Sequence, residues 1–166
     1  MSKIVRLDAC HCPIPRFNHA PAHTYVEYET TPPDTIVERV KDAEVIITTG
    51  VPLTAATIEQ CHQLKHVAIM AAGTDVVDIA ACNRHRISVS RVPAASSEAV
   101  AEHAIALYLA VKRRIVHLHR LTIEGIEWPQ RGSLVGEFNG LPEPCSQQSL
   151  GLIGYGSLGK QVNILI

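Results

Sequence analysis

Near its end the chain reads SLGLIGYGSLGKQ, an apolar run that leads into Gly154-Tyr155-Gly156-Ser157-Leu158-Gly159, the spacing G-x-G-x-x-G. That spacing suits the pyrophosphate of a dinucleotide. Gly154 permits a tight turn, Gly156 lets phosphate approach the backbone, and Gly159 lets helix and strand pack closely. Alone the motif is weak, but here it follows an expected strand (149–153) and precedes an expected helix from Leu158, the context it requires. The acidic residue that would hold the ribose, about twenty positions further on, would fall beyond residue 166.

Other residues invite chemistry with less support. Ala72-Gly73-Thr74-Asp75 follows an apolar run; Gly73 allows positive φ, and Thr74 or Asp75 can cap a helix whose first amides would suit a carboxylate. A plain tight turn explains the same residues equally well. Cys10-His11-Cys12, with Cys61-His62 as a second half, suggests metal ligation, yet zinc sites space their cysteines more widely, and an extended chain would send His11 away from its neighbours. No metal is expected. Glu102-His103 resembles an acid–base pair, but neighbours on a helix point about 100° apart and do not face each other. The cations Lys112, Arg113, Arg114, His117, His119 and Arg120 fit the last turns of a helix better than a nucleic-acid surface.

These residues are positioned by alternating short β-rich runs and helical stretches. Strands are expected at 4–9, 24–29, 44–49, 66–71 and 87–92, with helices at 32–43, 54–64 (Thr54 as N-cap) and 75–85 between them. Near-continuous apolar strands separated by helices predict an α/β fold with a parallel sheet covered on both faces. In such sheets ligands bind beyond the carboxyl ends of the strands. Thr49-Gly50, Ala72-Gly73, Pro93-Ala94 and the terminal glycine turn are the segments that would lie there. From Ser97 a single helix of about 36 Å is expected over 97–120. It is apolar on two faces, one through Val100, Ala104, Leu107 and Val111 and the other through Ile105, Leu109 and Val116. Such a helix must bridge domains or pack on another subunit. Residues 122–148 read as a connecting loop anchored by Trp128.

The totals agree with an ordinary globular chain: 166 residues, 46% hydrophobic, 19% charged and a net charge of -1. No global field recruits nucleic acid or an anionic membrane, and the longest apolar run, AIALYLAV, is too short to span a bilayer. The N-terminus lacks the apolar core of a signal peptide, so a cytoplasmic setting with reduced cysteines is expected.

Taken together, the AAGTDVVDIAA turn, the VPAASSEAVAEHA entry to the long helix, Trp128 after Gly125 and the GLIGYGSLGK turn resemble the D-isomer-specific 2-hydroxyacid dehydrogenases, in particular the glycerate-dehydrogenase-like branch. The resemblance covers most of residues 1–160. It implies a flavodoxin-like substrate domain (1–96), a linking and dimerisation helix (97–121), a connecting loop (122–148) and the truncated start of an NAD-binding Rossmann domain (149–166). It also implies a homodimer that moves hydride between NAD or NADP and a small 2-hydroxy or 2-keto acid such as hydroxypyruvate or glyoxylate. By the resemblance, Thr49, Gly50, Ala72 and Gly73 line the substrate site. Ala72 also lies near the nicotinamide, and Gly154, Gly156, Ser157, Leu158 and Gly159 hold the pyrophosphate. The family's catalytic arginine, glutamate and histidine follow the glycine turn, so none is present here, the cofactor site is incomplete, and the chain alone is expected to be inactive. The alternative is a non-catalytic fragment that docks on a full-length relative through the long helix.

Overall fold

The structure, a computed structural model, describes residues 2–13, 22–139, 141 and 143–166. Most of the Pro-rich stretch after the first strand lies outside them. Two compact units divide at Ala95 and Ser96.

The first unit is a five-stranded parallel sheet: β1 (Ser2–Arg6), β2 (His23–Glu27), β3 (Val45–Thr48), β4 (His66–Ile69) and β5 (Ser88–Arg91), in the order β2-β1-β3-β4-β5. This is the α/β fold expected from the sequence, in the flavodoxin-like order. The connecting helices are shorter than expected. They are α1 (Ile36–Val40), preceded by a 3-10 turn at Pro33–Thr35, α2 (Ala55–Ile58) and α3 (Ile79–Arg84). Thr54 caps α2 as its position predicts, accepting from the Thr57 amide at 3.3 Å. The cap of α3 is Asp78, which accepts from the Ala81 amide at 2.8 Å, so neither Thr74 nor Asp75 opens a helix.

One face of the sheet is sealed. Val5, Ile46, Thr48, Val67 and Ile69 are buried against the residues between strands, among them Val40, Leu53, Ile58 and Ala81. The other face is not, contrary to the expectation of cover on both sides. Val45, Ile47, His66 and Ala68 are half-buried, and the matching β5 positions Ser88 and Ser90 are exposed. Toward β5 this face is polar, and the His66 ring bridges the hydroxyls of Ser88 and Ser90 at 2.7 and 2.9 Å.

The second unit is helical. The expected single helix is two: α4 (Ser97–Lys112) and α5 (Ile115–Ile123), separated at Arg114, which is left-handed at φ 50°. Three successive cations suit a helix end, where exposed carbonyls carry partial negative charge. The Arg113 and Arg114 amides close α4, donating to the carbonyls of Leu109 at 2.8 Å and Val111 at 3.0 Å. The expected loop contains α6 (Glu127–Arg131) and two 3-10 turns, Val135–Phe138 and Cys145–Gln147. Trp128 is 53% exposed, so it is not the buried anchor expected. Glu137 instead ties the segment together: it accepts from His117 and Arg131 at 2.6 Å each, and these partners hold its carboxyl below the usual range. The chain closes with α7 (Ser157–Leu165), packed against α4. No helix among the described residues is long and apolar enough to cross a membrane.

Candidate functional site

In a parallel sheet all carboxyl ends lie on one edge, so adjacent β1, β3 and β4 bring their following residues to one rim. Those residues are Asp8 after β1, Thr49-Gly50 after β3 and Ala72-Gly73 after β4. Gly50 and Gly73 therefore share an edge.

The two turns differ in what they offer. Amides of the 49–51 loop are already used. The Thr49 N–H donates to the Asp8 carboxylate oxygens at 2.9 and 2.8 Å, the Gly50 N–H at 2.7 Å and the Val51 N–H at 3.3 Å. The His11 ring lies over Gly50, 3.9 Å from where a Cβ would stand. By contrast, among the described residues the amides of Ala72, Gly73, Thr74 and Asp75 donate to no protein acceptor. The Ala72 carbonyl accepts from the Arg91 guanidinium at 2.5 Å, which brings an exposed cation to the same turn. Gly73 does not adopt the positive φ that its residue type allows. A Cβ there would overlap the Asp75 carboxylate, so a larger residue would have to displace that exposed side chain.

The glycine turn of the second unit has backbone chemistry of its own. Gly154 is at φ +96°, where other residues are strained. A Cβ on Gly159 would strike the Gly154 carbonyl, so α7 starts hard against the turn. Gly156 is the N-cap of α7 and supplies no side-chain cap, which leaves the first amides, those of Ser157 and Leu158, without a side-chain acceptor. These are donors of the kind a pyrophosphate requires. The expected strand over 149–153 does not form. Leu150, Leu152 and Ile153 are exposed, Ile153 completely, and a strand without a neighbour has no ladder to join.

A sequence profile of the catalytic domain of the D-isomer specific 2-hydroxyacid dehydrogenases matches residues 4–161. The chain belongs to this family. It is 36% identical over 163 residues to a glycerate dehydrogenase of Methylorubrum extorquens, covering 96% of this chain and 51% of the relative. A glyoxylate reductase of Thermococcus gammatolerans is 27% identical over 145 residues, 87% of this chain and 43% of its own length. Among solved structures, D-lactate dehydrogenase from Aquifex aeolicus with NAD and lactic acid is similar at TM-score 0.72 and 26% identity, over 86% of this chain and 41% of that one. An acyclic imino acid reductase with NADPH and D-Arg shares the fold at TM-score 0.79 and 23% identity, over 98% and 52%. The chain thus spans about half the length of the curated relatives it matches.

Within this dehydrogenase-family chain, residue types alone did not reveal Asp8 or Arg91. Asp8 ends a strand-like run with nothing to mark it, and its partners are 41 to 43 positions away. Arg91 is simply the last residue of β5. Glu102 and His103 are exposed, consecutive positions of α4. The Cys10-His11-Cys12 segment is not extended, because Ala9–His11 forms a 3-10 turn held on the Tyr28 and Glu29 carbonyls. Cys61 lies in the core and donates to the Thr57 carbonyl at 3.2 Å. Among the described residues no three Cys, His, Asp or Glu side chains gather as a metal site would require.

Burial pushes the Cys61 thiol up to about 11 and raises that of Cys82. A thiol at that value is thiolate in about one molecule per thousand at pH 8. Native alkylation with iodoacetamide at pH 8 is therefore expected to label exposed Cys10 and Cys145 and to spare Cys61 and Cys82 until denaturant is added. Mass mapping of the modified peptides checks this.

Proposed function

We propose that this chain supplies the substrate grip and the opening of the dinucleotide turn of an NAD(P)-dependent oxidoreductase acting on the CH–OH group of a small D-2-hydroxy acid. Reduction of hydroxypyruvate or glyoxylate is the corresponding reverse direction. The observation that carries this reading is the turn at Ala72–Asp75. Its amides are open and Arg91 stands beside them, so donors and positive charge converge on one spot at the strand tips. A substrate carboxylate fits that chemistry. Thr49 and Gly50 form the adjoining wall, and Ala72 faces the nicotinamide. In the second unit Gly154, Gly156, Ser157, Leu158 and Gly159 hold the pyrophosphate through backbone donors. The nicotinamide, when bound, supplies or accepts the hydride. The residues described here bind and orient; the acid, base and catalytic arginine belong to the region that follows the glycine turn in the family. The protein works in the cytoplasm as a homodimer.

Titration of the isotope-labelled chain with D-glycerate tests the grip. Amide resonances of Gly73 and Thr74 are expected to shift saturably, and Arg91→Ala to weaken binding by about tenfold, the effect of one charge-assisted contact. Unmoved Gly73 and Thr74 amides would remove the reading. A second reading, a non-catalytic fragment that docks on a full-length relative, has one observation in its favour: an exposed apolar groove along Leu107, Ala110, Val111 and Val116 on α4 and α5.

A further inference from the structure

Asp8 stands where an anion would. It is 3% exposed, and among the described residues no cationic side chain pairs with it. A buried carboxylate without a counter-charge is costly unless hydrogen bonds satisfy its oxygens. Here the N–H groups of Thr49, Gly50 and Val51 do so at 2.7 to 3.3 Å. Successive backbone N–H groups converging on one point form an anion-binding nest. In this nest the anion is part of the chain. The Thr48 hydroxyl joins the same cluster: it accepts from the Val51 amide at 3.0 Å, and its proton has the Val51 carbonyl at 3.1 Å and the Asp8 carboxylate at 3.4 Å as acceptors. One polar group is left over: the Thr49 hydroxyl is buried and has no hydrogen-bond partner.

We propose that Asp8 is the positioning residue of the rim. Its carboxylate acts as a built-in anion that turns the amides of Thr49, Gly50 and Val51 inward and withdraws that loop from carboxylate binding. The Ala72–Asp75 turn is then the rim's anion site, and the 49–51 loop offers a ligand none of its three amides. This rests on the reading of the Ala72–Asp75 turn given above, and it gives the wall formed by Thr49 and Gly50 the contact that holds it.

The test uses Asp8→Ala in the 166-residue chain, with sodium formate as the probe and sodium chloride at equal ionic strength as the control. In Asp8→Ala, formate is expected to shift the amide resonances of Thr49, Gly50 and Val51 saturably and to raise the melting temperature above that in chloride. Hydrogen exchange at the Gly50 amide should be at least about tenfold faster in the variant without formate. In the unsubstituted protein those three amides should ignore formate. The Gly73 and Thr74 amides should answer it in both forms, and that arm reports on the functional reading alone. Equal responses to formate and chloride at 49–51 in the variant would overturn the proposal, as would a wild-type response there matching the variant's. Should the variant not fold, scalar couplings across the hydrogen bonds from the Thr49 and Gly50 amides to the Asp8 carboxyl carbon decide the matter in the wild-type chain. Their presence supports the proposal and their absence overturns it.

Discussion

Purified as its 166 residues, the chain is expected to leave NADH absorbance unchanged when given hydroxypyruvate or glyoxylate. Hydride transfer to a 2-keto acid needs the acid held, the dinucleotide held, and a proton donor at the carbonyl oxygen. Positioned acid–base groups contribute about 10²–10⁴ in rate. Electrostatic stabilisation of the developing charge contributes about 10²–10³ more for each well-placed donor. A polypeptide that assembles neither is expected to turn over below the blank. The only neighbouring acid and base that the sequence singled out, Glu102 and His103, are exposed and consecutive on α4, with no shared face toward a reacting atom. On the dinucleotide side, residues 150–153 are not in a sheet, so the Gly154 turn is held by its contact with α7 rather than by a strand. Turnover above background would show that the residues needed are already within this chain, and would displace the assignment of catalysis to the region after the glycine turn.

Replacing Ile46 by alanine is expected to cost about 4 kcal/mol of stability, and replacing Ile47 only about 1 kcal/mol. Both sit in β3, between β1 and β4, one residue apart. Ile46 is fully buried on the face that packs against the helices, so its removal leaves a cavity that the close-packed surroundings cannot collapse into. Ile47 points to the half-open face, where truncation exposes little that was not already wet. Urea denaturation of the two variants with equal m-values measures the difference. Equal losses would mean that both faces are sealed in solution.

That asymmetry marks how far the sequence could be read. EVIITT and HVAIMA announce parallel strands because β-branched and apolar residues run almost without interruption, and the regular spacing of helical stretches between them fixes the α/β class. Alternation within β3 and β4 is hidden in that same run, since Val45 and Ile47 are as apolar as Ile46. The tips of the strands were legible as places through their glycines and small residues, but their chemistry was not. Whether an amide is free or bonded depends on a carboxylate that comes from a different strand, as with Asp8 and Gly50. The break at Arg114 was hidden for another reason: Lys and Arg are good helix formers, and only the three-dimensional chain shows that they serve an end rather than a middle. SLGLI reads as a strand by composition, yet a strand exists only by pairing.

The strand order has a further consequence for how the protein is made. β1 precedes the other strands in the chain, yet it lies inside the sheet, with β2 on one side and β3 on the other. A nascent chain that has released β1 alone holds a strand with no partner; β2 can pair with it once residues 23–27 have emerged, and its other edge stays open until residues 45–48 follow. Translation therefore delivers the inner strand before either of its neighbours, and the sheet can close around it only when β3 has emerged.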